Sequence, residues 1–187
     1  DFSLPPNSDV DPFGVTWRGG ARLIGGSLYL TWEDFTDVGS LILPRVNWTL
    51  SRDFNVSFDL LHGRHSSGIS FCFGDLGSTP FGHQGAGDGL RIIFARDQWA
   101  IQVLHRNVQL WGRSSAAQAC LREAYTAISV EIQEGSVTVS CGGSIVVNSL
   151  PLIWSPQASW AAGIGSQISK RIGSEIIRTR VDNVRVE

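Results

Sequence analysis

Phe54-Asn55-Val56-Ser57-Phe58-Asp59-Leu60 carries an apolar side chain at every second position. Successive side chains of an extended strand point to opposite faces, so this run has one face for a core and one for water. It is the most regular strand in the chain, and the neighbouring segments repeat its character. Gly68 to Phe73 is a second apolar run across the polar stretch His62 to Ser67, and it reads as the hairpin partner of the first. Further on, Leu90, Ile92 and Phe94 alternate with Arg91, Ile93 and Ala95. Ala95-Arg96-Asp97-Gln98 reads as a tight connection into Trp99 to Leu104, and His105-Arg106-Asn107 as one into Val108 to Trp111. Ala127 to Gln133 and Ser136 to Cys141 form a hairpin over Glu134-Gly135; Gly142-Gly143 leads into Ile145-Val146-Val147. Trp160 to Ile164 and Glu175 to Val186 supply closing strands. On the N-terminal side, Val15 to Thr31 alternates in three short bursts, with Gly19-Gly20 and Gly25-Gly26 read as hairpin turns, and Gly39 to Val46 is a further apolar burst. Only Gly112 to Arg122 tolerates helix, with room for one turn. Short strands, frequent turns and no long helix predict an all-β sandwich or barrel.

The composition agrees. At 187 residues the chain can bury one sizeable core, and no linker or repeat divides it, so residues 1–187 are expected to form a single domain. Glycine is abundant (21 residues), methionine is absent and only 17% of residues are charged, which suits a turn-rich β protein better than a helical one. A net charge of −2 offers no electrostatic footprint for nucleic acid. No apolar run reaches the roughly 18–20 residues of a membrane-spanning helix, so no membrane insertion is expected. The chain opens at Asp1 with neither methionine nor a signal-like segment, as a mature form or an excised domain would.

Two Asn-x-Ser/Thr triplets, at Asn47 and Asn55, are candidate N-glycosylation positions. Asn55 alternates out of phase with Phe54, Val56 and Phe58, which puts it on an outer face. Together the triplets point to the secretory pathway and an extracellular or cell-surface location. Cys72, Cys120 and Cys141 allow at most one internal disulfide and one free thiol. Cys120–Cys141 is the favoured pair and Cys72 a buried thiol; three small buried hydrophobes without any bridge is the competing reading.

The long Gly/Ser/Pro loop from Gly74 onward ends in Phe81-Gly82-His83-Gln84-Gly85-Ala86-Gly87-Asp88-Gly89, directly before the strand at Leu90. A loop of this length inside a compact domain is more often functional than idle. Asp88 between Gly87 and Gly89 is placed to turn its carboxylate outward to a ligand; the plainer alternative is a turn aspartate capping local N–H groups. His83 and Gln84 share the loop. His62 and His65 lack a third ligand close by for a metal. Catalysis finds little support. Glu131 and Glu134 lack the intervening acid of a same-face carboxylate pair, and Glu33 and Asp34 fall in a loop. No nucleophile–base spacing stands out, so the chain is read as a non-enzyme with no cofactor.

The order of these pieces resembles the L-type (legume-like) lectins and the wider concanavalin-A-like group. The likeness runs through Gly26-Ser27-Leu28-Tyr29-Leu30-Thr31, the strand from Phe54, Gly87-Asp88-Gly89-Leu90, Ala161-Ala162-Gly163-Ile164-Gly165 and the closing Arg180-Val181-Asp182-Asn183-Val184-Arg185-Val186. It implies a jelly-roll sandwich of two antiparallel sheets with ligand loops on one face. It also implies that Asp88 accepts hydrogen bonds from sugar hydroxyls, with Gly87 and Gly89 allowing close backbone approach. The family set includes an asparagine and an aromatic; Asn107 fits the first, and Trp99, Trp111 and Phe81 compete for the second. His83, read from its place on the Asp88 loop alone, is a further candidate ligand contact, with a solvated loop residue as the plainer alternative. Where those lectins carry an aspartate-rich calcium loop, this chain has His105-Arg106-Asn107, so no legume-type metal site is expected, since calcium takes about six to eight oxygen ligands. The expected partner is a glycan or glycoprotein. The alternative, a laminin-G-like adhesion module, would bind other extracellular domains.

Overall fold

The computed structural model describes residues 15–24, 27–31, 38–43, 53–63, 66–153, 155–168 and 178–187. The strands are β1 (Thr16–Gly19), β2 (Arg22–Ile24), β3 (Ser27–Tyr29), β4 (Val38–Ile42), β5 (Phe54–Leu61), β6 (Ser66–Gly74), β7 (Leu90–Ala95), β8 (Ala100–His105), β9 (Val108–Arg113), β10 (Thr126–Gln133), β11 (Ser136–Cys141), β12 (Ser144–Pro151), β13 (Ala161–Ile168) and β14 (Arg180–Val186). The one helical piece among the described residues is a 3-10 turn at Ala116–Ala119, inside the segment whose composition tolerated helix.

The strands form two seven-stranded sheets, ordered β1-β4-β13-β6-β7-β8-β9 and β12-β11-β10-β5-β14-β3-β2. Every described pairing is antiparallel. The chain is therefore a jelly-roll sandwich. β5 behaves as its pattern requires: Phe54, Val56, Phe58 and Leu60 are buried, while Asn55, Ser57 and Asp59 stay half-exposed on the outer face. Facing it from the first sheet are Ile69, Phe71, Phe73, Ile92, Phe94 and Ile101. The Phe73 ring lies 5.1 Å from Phe54 and 5.6 Å, edge-on, from Trp160, so aromatic contacts tie the two sheets together.

Two hairpins expected from sequence prove to be crossovers between sheets. β5 pairs with β10 and β14, whereas β6 pairs with β13 and β7. Each run has a core face, and stacking them in opposite layers buries both at once, where side-by-side pairing would leave each facing outward for another layer. Similarly, β1 pairs with β4 in one sheet and β2 with β3 in the other, so Gly19-Gly20 is a bend from layer to layer. The expected hairpins at Ala95-Arg96-Asp97-Gln98, His105-Arg106-Asn107, Glu134-Gly135 and Gly142-Gly143 are present, except that Ala95 and His105 belong to the strands and Trp99, expected to open β8, lies in the turn before it. Arg106 and Asn107 both take positive φ (50° and 64°), as do Glu134 and Gly135 (49° and 71°), the conformation that matches the twist of two-residue hairpins. Near the start of β14, the guanidinium groups of Arg178 and Arg180 both sit over the Tyr29 ring, at 5.9 and 4.4 Å.

Cys120, just after the 3-10 turn, is bonded to Cys141 at the end of β11 (S–S 2.06 Å, Cα–Cα 5.1 Å). Cys72 is free and buried.

Candidate functional site

Residues 75–89 lie across the outer face of the first sheet and are fastened to it along their length. Phe81 and Leu76 join Ile42, Cys72 and Ala161 in a second apolar cluster, separate from the main core, with Ala86 packed against it. Gly165 of β13 makes this possible: a Cβ there would lie 2.5 Å from Phe81 Cδ2 and from its carbonyl oxygen, so only a bare backbone lets the ring lie on the strand. Ser70 Oγ donates to the Gly82 carbonyl (2.8 Å), Phe81 N to Ser40 Oγ (3.4 Å), Ala86 N to Cys72 Sγ (3.3 Å) and Arg18 Nη1 to the Gly77 carbonyl (2.8 Å). This segment thus has the rigidity of a docked element.

At its end the loop brings Asp88 to the surface. The Asp88 side chain is exposed, and among the described residues its carboxylate has neither a hydrogen-bond nor an ion-pair partner. Capping of nearby N–H groups, the plainer sequence reading, is therefore not what holds it. The turn between β8 and β9 is drawn up beside the loop: Arg106 N donates to the Gly89 carbonyl (3.1 Å). From β7, Arg91 Nη2 donates to Asn107 Oδ1 (2.6 Å). These two bonds tie the chain on either side of Asp88 and Asn107 together, Gly89 to Arg106 and β7 to Asn107. His105 stands opposite Leu90 in the ladder. Its pKa is lowered from the usual imidazole value chiefly by burial and also by Arg106, against an opposing pull from Asp88. A mostly neutral imidazole at physiological pH follows, with Nε2 shielded and unpartnered among the described residues.

The other expected site residues lie elsewhere or serve other purposes. Gly89 is buried, with its α-carbon face against the Phe73 carbonyl, so its backbone supports the loop from below. Gly87, at φ 79°, is seated over the Asp75 carbonyl. His83 is half-buried; its Nε2 pairs with Gln84 Nε2 (2.8 Å), and burial lowers its pKa. Trp111 stands opposite Val103 and packs against the main core, as does Trp99, which lies in the β7–β8 turn with Arg96 over its ring. Phe81 is buried beneath its own loop. Phe81 is thus taken up by the second cluster, while Trp99 and Trp111 stay half-exposed with part of each ring on the main core. Asn55 sits outward in β5, where its Oδ1 accepts from Ser129 Oγ (2.8 Å); Asn47 lies outside the described residues. Glu131 stands in β10 opposite Asn55 and Glu134 in the following turn, so the two do not line one cleft; Glu33 and Asp34 lie outside the described residues. His62 is buried and His65 lies outside the described residues. Among the described residues no group of three or more His, Cys, Asp or Glu side chains comes together.

Arg91 is the site residue that sequence reasoning passed over. Its outward position in the alternation of β7, two residues past Gly89, was a usable signal. A separate open depression of about 220 Å³ lies on the second sheet between β5, β10 and β14, lined by Ser57, Asp59, Ala127, Asn183 and Arg185. It forms where β14 bulges between Asp182 and Arg185, and Asn183 Nδ2 closes it from one side by donating to Asp59 Oδ2 (2.7 Å).

No protein-family model and no curated protein matches the chain. Solved structures do. The VIP36 exoplasmic/lumenal domain in its calcium- and mannose-bound form superposes with a TM-score of 0.66 at 16% identity, over 93% of this chain and 84% of that one. The Emp47p carbohydrate recognition domain gives 0.62 at 17%, over 95% and 91%. Metal-free lectin I-B4 of Griffonia simplicifolia gives 0.67 at 13%, over 96% and 94%. The chain has the concanavalin-A-like jelly-roll fold of these L-type lectins, and at such identities the likeness is one of fold.

Proposed function

We propose that the chain is a non-catalytic carbohydrate-binding domain of a secreted or cell-surface protein, with Asp88 as the acceptor for sugar hydroxyls and Asn107 beside it. The observation that carries this reading is the Asp88 carboxylate, exposed and unpartnered among the described residues at the tip of a loop otherwise locked to its sheet. Saccharides offer many hydroxyl donors, and a carboxylate with no internal partner accepts them through charge-assisted bonds without first breaking any of its own. The mannose-bound VIP36 domain and the Emp47p recognition domain share the architecture, which supports a glycan as partner. Screening on a glycan array followed by titration of the best glycan tests the reading. Asp88→Asn is expected to weaken binding ten- to a hundredfold, the scale of one or two charge-assisted hydrogen bonds, while leaving the melting temperature in place. Undiminished binding by that variant would remove Asp88 from the site.

An adhesion or assembly role is the second reading, supported by apolar side chains on one edge strand of each sheet: Val108 (62% exposed) and Leu110 on β9, and Ile145 (61%) on β12. A chain that binds no glycan at all but is captured by another extracellular domain would favour it.

The proposal includes passage through the secretory pathway, supported by the Cys120–Cys141 bond and by the outward placement of Asn55. Ser129 engages Asn55 Oδ1, which leaves the amide nitrogen as the atom to carry a glycan. Chain secreted from eukaryotic cells is expected to lose mass on enzymatic deglycosylation and to gain the one-dalton Asn-to-Asp mark at Asn55. An unmodified peptide spanning Asn55 would refute this.

A further inference from the structure

Arg91 gives the surface around Asp88 a charge that a site for neutral sugar does not need. Its stem runs beneath Gly85, where a Cβ would come within 3.2 Å of Cδ, and its head emerges at Asn107. Among the described residues the guanidinium has Asn107 Oδ1 as its hydrogen-bond partner and no carboxylate as an ion-pair partner, and Nε is shielded without any partner. Its neighbours across the ladder, Cys72 on β6 and Leu104 on β8, carry no charge. Asp88 exerts its field on His105 and is not paired with Arg91. A half-buried guanidinium held by one neutral amide keeps most of its five donors, in a rigid planar fork suited to two oxygens of one anion.

Resting on the carbohydrate-binding reading, we infer that the ligand is an acidic saccharide, whose carboxylate or sulfate is taken by Arg91 while its hydroxyls go to Asp88. Asn107 sets the orientation of the fork and leaves the charge uncompensated, because an amide oxygen supplies geometry without a countercharge. The two side chains come from opposite ends of Gly89-Leu90, so one sugar ring or two adjacent ones can bridge an acceptor and a cation. Binding that depends on such a pair weakens as salt rises, since the contact is charged and partly exposed.

The test uses matched ligand pairs that differ only in the acidic group: uronate- or sialate-terminated oligosaccharides against their methyl esters, and sulfated against desulfated oligosaccharides. Titration of the whole chain should show at least tenfold preference for the acidic member of one set, and which set responds distinguishes carboxylate from sulfate. Arg91→Gln should abolish that preference, and Arg91→Lys, which keeps charge without the fork, should retain part of it. Asp88→Asn should weaken acidic and neutral members alike. Equal affinity within every pair, unchanged in a folded Arg91→Gln or Arg91→Lys variant, overturns the inference and leaves the carbohydrate reading standing. Absence of binding to every saccharide, acidic or neutral, overturns both.

Discussion

Lowering the pH from 7 to 4 is expected to destabilise the chain far more than a variant lacking the His62 imidazole. His62 is only 1% exposed, at the crossover between β5 and β6, where its backbone N–H donates to the Arg122 carbonyl (3.1 Å). Burial first, and the Arg96 charge second, lower its pKa from 6.5 to about 3, against a smaller opposite pull from Glu123. In the unfolded chain the same imidazole takes up its proton near pH 6.5; in the folded chain it refuses until about pH 3. Stability is therefore complete above pH 6.5 and declines as pH falls through the window to 3, by at most about 1.4 kcal/mol per unit. Across the window this amounts to on the order of 4 kcal/mol, a large share of the roughly 5–15 kcal/mol that holds a typical domain folded. The check is a set of denaturant melts between pH 3.5 and 7.5 on wild type and His62→Gln. Wild type should lose more stability on the acid side, and the difference between the two should flatten above pH 6.5. Parallel profiles would refute it.

Removing the Cys120–Cys141 bridge should cost about 3 kcal/mol. The bond closes a segment of 21 residues, and constraining a loop of that length in the unfolded chain is worth about 3 kcal/mol in the chain-entropy model. It also fastens the 3-10 turn, whose Ala117 is buried in the main core as is Leu121 just beyond it, to the end of β11. The double variant Cys120→Ala/Cys141→Ala should keep the sandwich and melt at a markedly lower denaturant midpoint. An unchanged midpoint would mean that core packing alone positions this corner.

Much of the fold was legible because its information is local. The alternation of Phe54 to Leu60 and the Glu134-Gly135 hairpin require only side-chain period and turn chemistry. Which layer a strand joins is not local. Phe54–Leu60 and Gly68–Phe73 have equally apolar faces, and only the partners β10 and β13, far along the chain, decide that they stack and do not pair. The site divided along the same line. Asp88 stood out as a candidate because glycines frame it, and the structure leaves its side chain exposed. Trp111 and Trp99 stood out as sugar platforms because a sequence cannot say which side of an edge strand (Trp111) or of a turn (Trp99) an aromatic occupies; here both are half-buried, with part of each ring packed against the core. Arg91 went unnoticed because an outward arginine in a strand is ordinarily solvated, and only the path beneath Gly85 to Asn107 distinguishes it.

Cys72 lies under Gly85 and Ala86 with its thiol pushed up to about 11 by burial. Thiol exchange proceeds through the thiolate, so at neutral pH only about one folded molecule in ten thousand carries the reactive form, and that form is covered. Correct oxidation in an oxidising compartment thus depends on the order of events during maturation. A nascent chain whose glycine-rich cover has settled protects its odd sulfur from scrambling the native bridge, and one whose cover settles late leaves that sulfur open to attack.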